Sequence, residues 1–340
     1  MKQVIIIGGG FCGTHAAQQL ENDYNTTLID NKDYFEFTPG ILRTIVQPTH
    51  AASIQALHKD YLKKTTVIKG NVTSVTQNTV FIRNKKIKFD YLIIASGSTY
   101  NLPIKAENIV LSTRAKVLQE YHKELDNATN ILIIGGGIVG VELAAEIVTH
   151  YNNKNVTIVH AGQQLMNRQP QKARIYAEKF LTKNNVKIHF NELVMEQKNK
   201  TYYTDKGNAL TPDIAFLCTG IVPNTEFMKK DLLNDRKQII VNEHLQVNDY
   251  KNIFAGGDAN SIAEEKTAQN AQEHAKIIVN NIKNIENKKP LEKYVSCKRT
   301  MVISLGTKHG ILTYKNIVIK GRIPGMLKNI IEKREMQKYR

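Results

Sequence analysis

Residues 4–13 read Val-Ile-Ile-Ile-Gly-Gly-Gly-Phe-Cys-Gly, and residues 131–140 read Ile-Leu-Ile-Ile-Gly-Gly-Gly-Ile-Val-Gly. Each stretch is an apolar run that leads into the spacing G-x-G-x-x-G, and an amphipathic helical pattern follows it. The first glycine permits a tight strand-to-helix turn, the second lets the backbone approach a pyrophosphate, and the third lets the helix pack close to the strand. One such motif is weak evidence, but two copies after predicted strands indicate two nucleotide sites.

The two copies differ at the end of the next predicted strand. The first of these strands, residues 26–29, ends at Asp30, an acid that can accept hydrogen bonds from an adenosine ribose. The second, residues 156–159, ends at His160, which does not repel a 2′-phosphate. We therefore predict FAD at the first site and NADH or NADPH as co-substrate at the second.

Two further segments fit the FAD site. Residues 89–98 read as a buried strand that ends in a turn of small residues, and residues 252–258 read as a strand that ends in an acid. A helix that begins near Thr267 would point the positive end of its dipole at the flavin ring. The predicted FAD contacts from these segments are Ala95, Ser96, Gly97, Asp258 and Ala268.

The order of these segments predicts an α/β fold with two Rossmann-like dinucleotide-binding domains, the NAD(P) domain being inserted in the FAD domain. We expect the FAD domain at residues 1–104 and 226–290, and the NAD(P)H domain at residues 105–225. Residues 291–340 would form a small basic C-terminal segment that contacts a membrane, the quinone or a second subunit. Smaller meander strands are expected around residues 66–75 and 79–88.

The composition, with 41% hydrophobic and 23% charged residues, is that of a globular protein. The three cysteines, Cys12, Cys218 and Cys297, form no C-x-x-C pair, which argues against a disulfide framework, a zinc site and a local dithiol relay. No metal site is predicted. With no signal peptide or transmembrane run in view, we expect a cytoplasmic location, with peripheral attachment to a membrane left open.

Over half of the net charge of +16 lies in the C-terminal segment, where residues 298–340 hold eleven Lys or Arg and two Glu. This basic region suggests an anionic partner, either lipid headgroups or nucleic acid, although a solvated surface is an equal alternative. An apolar stripe at helical spacing runs through it. Membrane docking, a homodimer contact and packing on the protein body all remain open for the stripe, which consists of Ile323, Met326, Leu327, Ile330 and Ile331.

With these motifs the chain resembles pyridine nucleotide-disulfide oxidoreductase-like flavoproteins. Within them it resembles the family of ferroptosis suppressor protein, also called apoptosis-inducing-factor-like mitochondrion-associated inducer of death, with type II NADH dehydrogenases as more distant relatives. The most specific segment is 241–247, and segments 217–220 and 304–306 also fit. The resemblance implies that NAD(P)H reduces FAD and that the flavin passes two electrons to a quinone.

The resemblance also implies individual cofactor contacts. Arg43 would pair with pyrophosphate oxygens, and Ile68 would offer its backbone to adenine. Cys12 stands where a glycine is common and is interpreted as a small packing residue. The glycine loops and their neighbours supply the remaining predicted contacts, namely Gly8, Gly9, Gly10, Phe11, Cys12 and Gly13 for FAD, and Gly135, Gly137, Gly140, His160 and Gly220 for NAD(P)H.

Glu142 is the predicted catalytic residue, mostly on resemblance, because it follows the second motif by two residues. It could bind the nicotinamide amide or relay a proton, whereas a first-turn acid that only stabilises the helix dipole is the alternative. Gln269 is a weaker candidate for the quinone site. Two rival functions remain: an NAD(P)H reductase of a soluble electron-carrier protein, and an apoptosis-inducing-factor-like flavoprotein that binds nucleic acid, which is the less favoured partner.

Overall fold

The structure, a computed structural model, describes residues 1–83, 85–100, 109–111 and 122–340. Its framework is a pair of five-stranded parallel sheets, with helices on their faces. The predicted domain boundary between residues 104 and 105 lies outside the described residues.

The described helices and strands are numbered in chain order. The helices are α1 Phe11–Leu20, α2 Arg43–Val46, α3 Ala51–Ile54, α4 His58–Tyr61, α5 His122–Asn127, α6 Ile138–His150, α7 Gln171–Lys183, α8 Ala268–Glu286 and α9 Arg322–Met336. The strands are β1 Gln3–Ile7, β2 Asn25–Asp30, β3 Tyr34–Glu36, β4 Gln55–Leu57, β5 Thr66–Lys69, β6 Val72–Val75, β7 Thr79–Ile82, β8 Lys85–Lys88, β9 Tyr91–Ile94, β10 Ser98–Tyr100, β11 Ile109–Leu111, β12 Asn130–Ile134, β13 Asn155–His160, β14 Lys187–Phe190, β15 Val194–Lys198, β16 Thr201–Thr204, β17 Ala209–Leu210, β18 Ile214–Leu217, β19 Ile221–Pro223, β20 Ile253–Ala255, β21 Met301–Leu305, β22 His309–Tyr314 and β23 Ile317–Gly321.

The first parallel sheet has the strand order β20-β9-β1-β2-β5. Its central strand β1 is apolar at four successive positions and buried on both faces, as a parallel sheet covered by helices requires. Residues 66–69 were expected to belong to a meander, but they form the edge strand β5, because their register continues that of β2. The meander itself consists of β6, β7 and β8, which pair antiparallel.

The second parallel sheet has the order β11-β18-β12-β13-β14. All its strands lie between β9 and β20 in the chain, so this sheet is inserted within the segment that builds the first one. The predicted α/β fold, with two parallel-sheet domains and one inserted in the other, is therefore confirmed.

Each glycine motif makes the same tight turn between a strand and a helix. Gly8 and Gly135 open the two turns with φ angles of +100° and +112°, a region that favours glycine. A Cβ on Gly13 would overlap the carbonyl oxygen of Gly8, and a Cβ on Gly140 would overlap that of Gly135. The missing side chains thus let α1 and α6 lie directly against their strands, with both helix N-termini at the carboxyl edge of a sheet.

The C-terminal segment folds as the antiparallel sheet β21-β22-β23 followed by α9. Helix α9 turns polar residues inward, since Lys328 and Glu332 are buried. Three of the five residues in its apolar stripe do not pack on the protein body, because Ile323, Met326 and Ile330 are 74%, 62% and 56% exposed. Much of the apolar face of α9 therefore points outward, unlike that of an ordinary amphipathic helix on a globular protein.

We predict that Gly140→Ala lowers the free energy of unfolding by about 3 kcal/mol, because the added methyl group meets a backbone carbonyl that cannot move without displacing the strand. Gly137→Ala is the matched control, since a Cβ there meets no atom within 4 Å, and it should cost less than about 1 kcal/mol, the usual preference at a helix N-cap. Urea unfolding without nicotinamide nucleotide compares the two; equal losses would contradict the packing role of Gly140.

Candidate cofactor and substrate site

A cavity of about 480 Å³ lies at the carboxyl edge of the first sheet. Gly10 has open space where a Cβ would stand, so the backbone of the loop faces this cavity bare. The cavity brings together most of the predicted FAD contacts, namely Gly8, Gly9, Gly10, Phe11, Cys12, Asp30, Ala95, Ser96, Gly97, Asp258 and Ala268. The N–H groups of a glycine loop can donate hydrogen bonds to a pyrophosphate, and a carboxylate beside the loop can accept them from a ribose. These residues therefore fit the adenosine diphosphate half of FAD.

Asp30 is held in place by backbone groups. Its Oδ2 accepts a hydrogen bond from the N–H of Gly9, and its Oδ1 accepts one from the N–H of Lys32 at 2.9 Å. Burial raises the pKa of Asp30, but contacts with His58, Lys32 and Gly9 outweigh burial and hold the pKa below its usual value. Asp30 is therefore an ionised acceptor, as ribose recognition requires.

Cys12 is a packing residue. Its thiol is buried against Gly256, where a side chain of any size would displace it. Burial, and after it the charge of Asp258, raises the pKa of Cys12 to about 12. A thiol with so high a pKa holds its proton at neutral pH and is a poor nucleophile.

A second and larger cavity, of about 1180 Å³, adjoins the first, and we call the residues that line both cavities the neck. The neck carries Asp258, whose Oδ2 accepts a hydrogen bond from the Ser98 hydroxyl at 2.7 Å, and Lys266. Ala268, the first residue of α8, also lies at the neck, so the N-terminus of that helix points where the two cavities meet. An elongated dinucleotide can extend from one cavity into the other through this neck.

The second glycine motif borders the larger cavity. Ile138, Val139 and Glu142 of α6 line it, whereas a Cβ on Gly137 or Gly220 would meet only open space. His160 lies beside Gly136 and Gly162, with its Nε2 3.0 Å from the carbonyl oxygen of Gln164. Burial lowers the pKa of His160, so this ring is neutral at pH 7.

Glu142 lies in the wall of the larger cavity and is buried. Its Oε1 accepts three hydrogen bonds: from the Ser304 N–H at 2.8 Å, from the Ser304 hydroxyl at 2.9 Å, and from the Lys328 ammonium at 2.9 Å. The sequence had singled out neither Ser304 nor Lys328 as a site residue. The only signal for Lys328 was a charge placed within an apolar stripe, which is normally read as solvent-exposed.

Eight predicted cofactor residues line neither cavity, namely Gly13, Arg43, Ile68, Gly135, Gly137, Gly140, His160 and Gly220. Gly13 and Gly140 act through helix packing, and Ile68 lies on β5, two residues before the cavity wall begins at Gly70. Arg43 was expected to bind the pyrophosphate. Its guanidinium instead donates to Asn329 at 3.0 Å and pairs with Glu146 at 3.4 Å, because the buried carboxylate of Glu146 needs a cationic partner.

Four apolar side chains also line the larger cavity, and we call them the apolar wall. Phe37 and Ile41 come from the FAD-side loops, and Leu327 and Ile331 come from α9. Gln269 lies in the same cavity. The lining is therefore mixed: its polar groups suit a nucleotide, and its apolar side chains suit an apolar ring system.

The part of the chain that the structure describes contains no group of His, Cys, Asp and Glu side chains that could hold a metal ion. In the same residues, no helix combines the length and the apolar character that crossing a bilayer demands.

A family model for pyridine nucleotide-disulphide oxidoreductases matches residues 2–275. Among curated relatives, ferroptosis suppressor protein 1 of Xenopus tropicalis is 32% identical over 328 residues, covering 91% of this chain and 87% of the relative. Apoptosis-inducing factor homolog B of Dictyostelium discoideum is 31% identical over 343 residues, covering 91% of this chain and 89% of the relative.

Two solved structures have the same fold. The sulfide:quinone oxidoreductase of Aquifex aeolicus superposes with a TM-score of 0.88 at 21% identity, covering 100% of this chain and 92% of the other. NDH2 of Plasmodium falciparum in complex with NADH gives a TM-score of 0.85 at 17% identity, covering 99% and 97%. The chain therefore belongs to the pyridine nucleotide-disulphide oxidoreductase family, in the group that includes ferroptosis suppressor protein 1 and the apoptosis-inducing factor homologs.

Proposed function

We propose that this protein is an FAD-dependent NAD(P)H oxidoreductase that passes two electrons to a quinone. The observation that carries the proposal is the joined pair of cavities: a glycine loop and Asp30 occupy one end, and the second glycine motif and an apolar wall meet at the other. FAD, when bound, would accept a hydride from the nicotinamide and hand its electrons on. The protein supplies orientation, electrostatics and protons.

Three regions would hold FAD. Asp30 and the loop from Gly8 to Cys12 would receive the adenosine diphosphate half. Asp258, at the neck, would accept hydrogen bonds from hydroxyl groups of the ribityl chain, and the N-terminus of α8 would point towards the ring. The nicotinamide nucleotide would lie over Gly135, Gly137 and Gly140, with His160 and Gly220 beside it. The glycines of both loops have no side chains, so a pyrophosphate could approach the loop backbone closely.

A quinone is the acceptor that the apolar wall favours. Phe37, Ile41, Leu327 and Ile331 line a cavity large enough for a ring, and the sulfide:quinone oxidoreductase shares this fold over the whole chain. A soluble electron-carrier protein would need an exposed and electrostatically complementary docking patch rather than apolar side chains in a cavity wall. Gln269 could donate a hydrogen bond to a quinone oxygen.

Reduction of a quinone by NAD(P)H takes up one proton in addition to the transferred hydride, and the pair of Glu142 and Lys328 is placed to deliver it. The Lys328 ammonium is hydrogen-bonded to Glu142 in the cavity wall, next to the apolar side. A proton can pass from this pair to a reduced quinone oxygen, and Ser304 holds the carboxylate in position during the transfer. In this role Glu142 acts in the acceptor half of the reaction.

We predict that Glu142→Gln lowers NADH:quinone turnover about a hundredfold, because the amide cannot exchange protons with Lys328. FAD content and NADH:ferricyanide turnover should stay near those of the wild type, because ferricyanide takes no protons. If both turnovers fall together, Glu142 serves nicotinamide binding; if neither falls, it is only a helix-end acid.

We predict that NADH and NADPH both reduce the protein with kcat/KM values within about tenfold of each other, since neutral His160 neither repels nor binds a 2′-phosphate strongly. His160→Glu should shift the preference about tenfold towards NADH by charge repulsion, and the matched variant His160→Gln should not. Steady-state kinetics with both nucleotides measures the ratio. A wild type that already rejects NADPH by several orders of magnitude would refute the prediction.

We also propose that the outward face of α9 attaches the protein to the surface of an anionic membrane. Three apolar residues of this face, Ile323, Met326 and Ile330, are exposed, and no element that the structure describes covers them. Basic residues flank them, and Ile317 and Ile319 of β23 are exposed as well. An apolar stripe within a basic surface suits a peripheral contact with anionic lipid, where a lipid-dissolved quinone would be met.

We predict that replacing Ile323, Met326 and Ile330 with Ser abolishes cosedimentation with anionic liposomes and lowers turnover with a long-chain quinone, while ferricyanide reduction survives. Leu193→Ser with Met195→Ser is the control, because these residues form an exposed apolar pair elsewhere. Added salt should weaken wild-type binding. If liposome binding survives in the triple variant, the membrane role is wrong, and a loss of dimer on gel filtration would identify the face as a subunit contact instead.

A further inference from the structure

Tyr339 links the C-terminal segment to the FAD-binding domain. Its side chain is 1% exposed and stacks on Phe35, with ring centroids 4.0 Å apart. Its edge meets the ring of Tyr61 at 5.1 Å, and its hydroxyl donates to Glu335 Oε1 at 3.2 Å. The short 3-10 turn Gln337–Tyr339 after α9 therefore inserts an aromatic ring into the core beside the cofactor loop.

The contact continues from Tyr61 to His58, at the two ends of the single-turn helix α4. The Tyr61 hydroxyl and His58 Nδ1 are 2.5 Å apart, and burial raises the pKa of Tyr61, so the hydroxyl keeps its proton. His58 Nε2 lies 3.8 Å from Asp30 Oδ2. A Tyr61 hydroxyl that donates to Nδ1 holds the ring so that its Nε2 edge faces Asp30.

His58 and Asp30 together form the floor beneath the first glycine loop. A Cβ on Gly9 would collide with both His58 Nε2 and Asp30 Oδ2, so the loop backbone rests directly on them. The N–H of Gly9 donates to Asp30. A second path reaches the same loop, because Phe35 packs edge-on against Phe11, with ring centroids 5.1 Å apart, and Phe11 lines both cavities.

We propose that Tyr339, Tyr61 and His58 are positioning residues for FAD: they fix Asp30 and the Gly9 backbone in the geometry that binds the adenosine half, so that docking of the 337–339 turn and FAD affinity are coupled. We call Tyr339, Tyr61, His58 and Asp30 the tyrosine relay. By linkage, FAD must stabilise the docked turn as much as the docked turn strengthens FAD binding.

This coupling gives α9 a second task. The same helix carries Leu327 and Ile331 to the apolar wall of the larger cavity, and its outward face is the surface proposed for lipid. Cofactor retention and the acceptor side therefore share one structural element. The proposal rests only on FAD binding and holds whichever acceptor is used.

Flavin titration of apoprotein variants tests the relay. Tyr339→Ala should raise the Kd for FAD about tenfold, and Tyr339→Phe, which keeps the ring, should stay within about twofold of the wild type. Tyr61→Phe removes the hydroxyl that contacts His58, so it should also raise the Kd for FAD. In the double variant with Tyr339→Ala, the further increase in Kd should be smaller than the increase that Tyr61→Phe causes in the wild type. Tyr202→Ala is the control, since Tyr202 is as buried as Tyr339 but lies in the inserted domain.

The control separates positioning from general stability. Tyr202→Ala should lower Tm yet leave the Kd for FAD unchanged. The proposal is overturned if Tyr339→Ala binds FAD like the wild type, or if Tyr202→Ala raises the Kd for FAD by the same factor. If Tyr339→Ala does not fold, the Kd of Tyr61→Phe for FAD is the deciding measurement. Limited trypsin digestion of the wild type checks the reciprocal effect: FAD should slow cleavage after Arg334, and equal rates with and without FAD would contradict the coupling.

Discussion

The close contact between a helix and the glycine that opens its turn is the constraint on which the rest of this structure depends. Because Gly13 and Gly140 have no side chain, α1 and α6 can lie against the carbonyl groups of Gly8 and Gly135. That contact brings the free N–H groups of each helix N-terminus to the carboxyl edge of its sheet. Both cavities open at these edges, and the polar groups that suit two dinucleotides converge there.

Buried charges hold the C-terminal segment against this framework. Lys328 of α9 meets Glu142 of the inserted domain, and Glu332 meets His50 of the FAD domain at 3.2 Å. Removing Lys328 would leave the Glu142 carboxylate buried without its cation, at a cost of about 3–5 kcal/mol. The contact between Glu332 and His50 is a second point at which α9 attaches. Because the polar face of α9 packs against the rest of the protein, its apolar residues lie in the cavity wall and on the outer surface.

Local patterns in the sequence were enough for the fold. Apolar runs before the two glycine motifs predicted both parallel sheets, and the order of the segments predicted the insertion. The edge strand β5 was assigned to a meander because a short strand carries the same alternating pattern in either setting, and only its register with β2 distinguishes them.

The candidate site was predictable where one motif supplies neighbouring residues, as at Gly8–Cys12 and Asp30. It was not predictable where residues far apart in the chain meet. Arg43 was assigned to a pyrophosphate on the family resemblance, and its contact with Glu146, over a hundred residues away, could not be foreseen. Lys328 was missed for the same reason: sequence periodicity places a charge on the solvent side, and only tertiary packing turned it inward to Glu142.

Transfer of electrons from NAD(P)H through the flavin to a quinone can be followed in one double-mixing stopped-flow experiment without oxygen. Holoprotein is mixed first with NADH or NADPH and then with a short-chain quinone, while the visible absorption of the flavin is recorded. The flavin should bleach in the first mix and recover fully in the second, with both phases at least as fast as steady-state turnover. A flavin that does not bleach with either nucleotide, or a reduced flavin that quinone leaves bleached, would show that this protein does not carry out the proposed reaction.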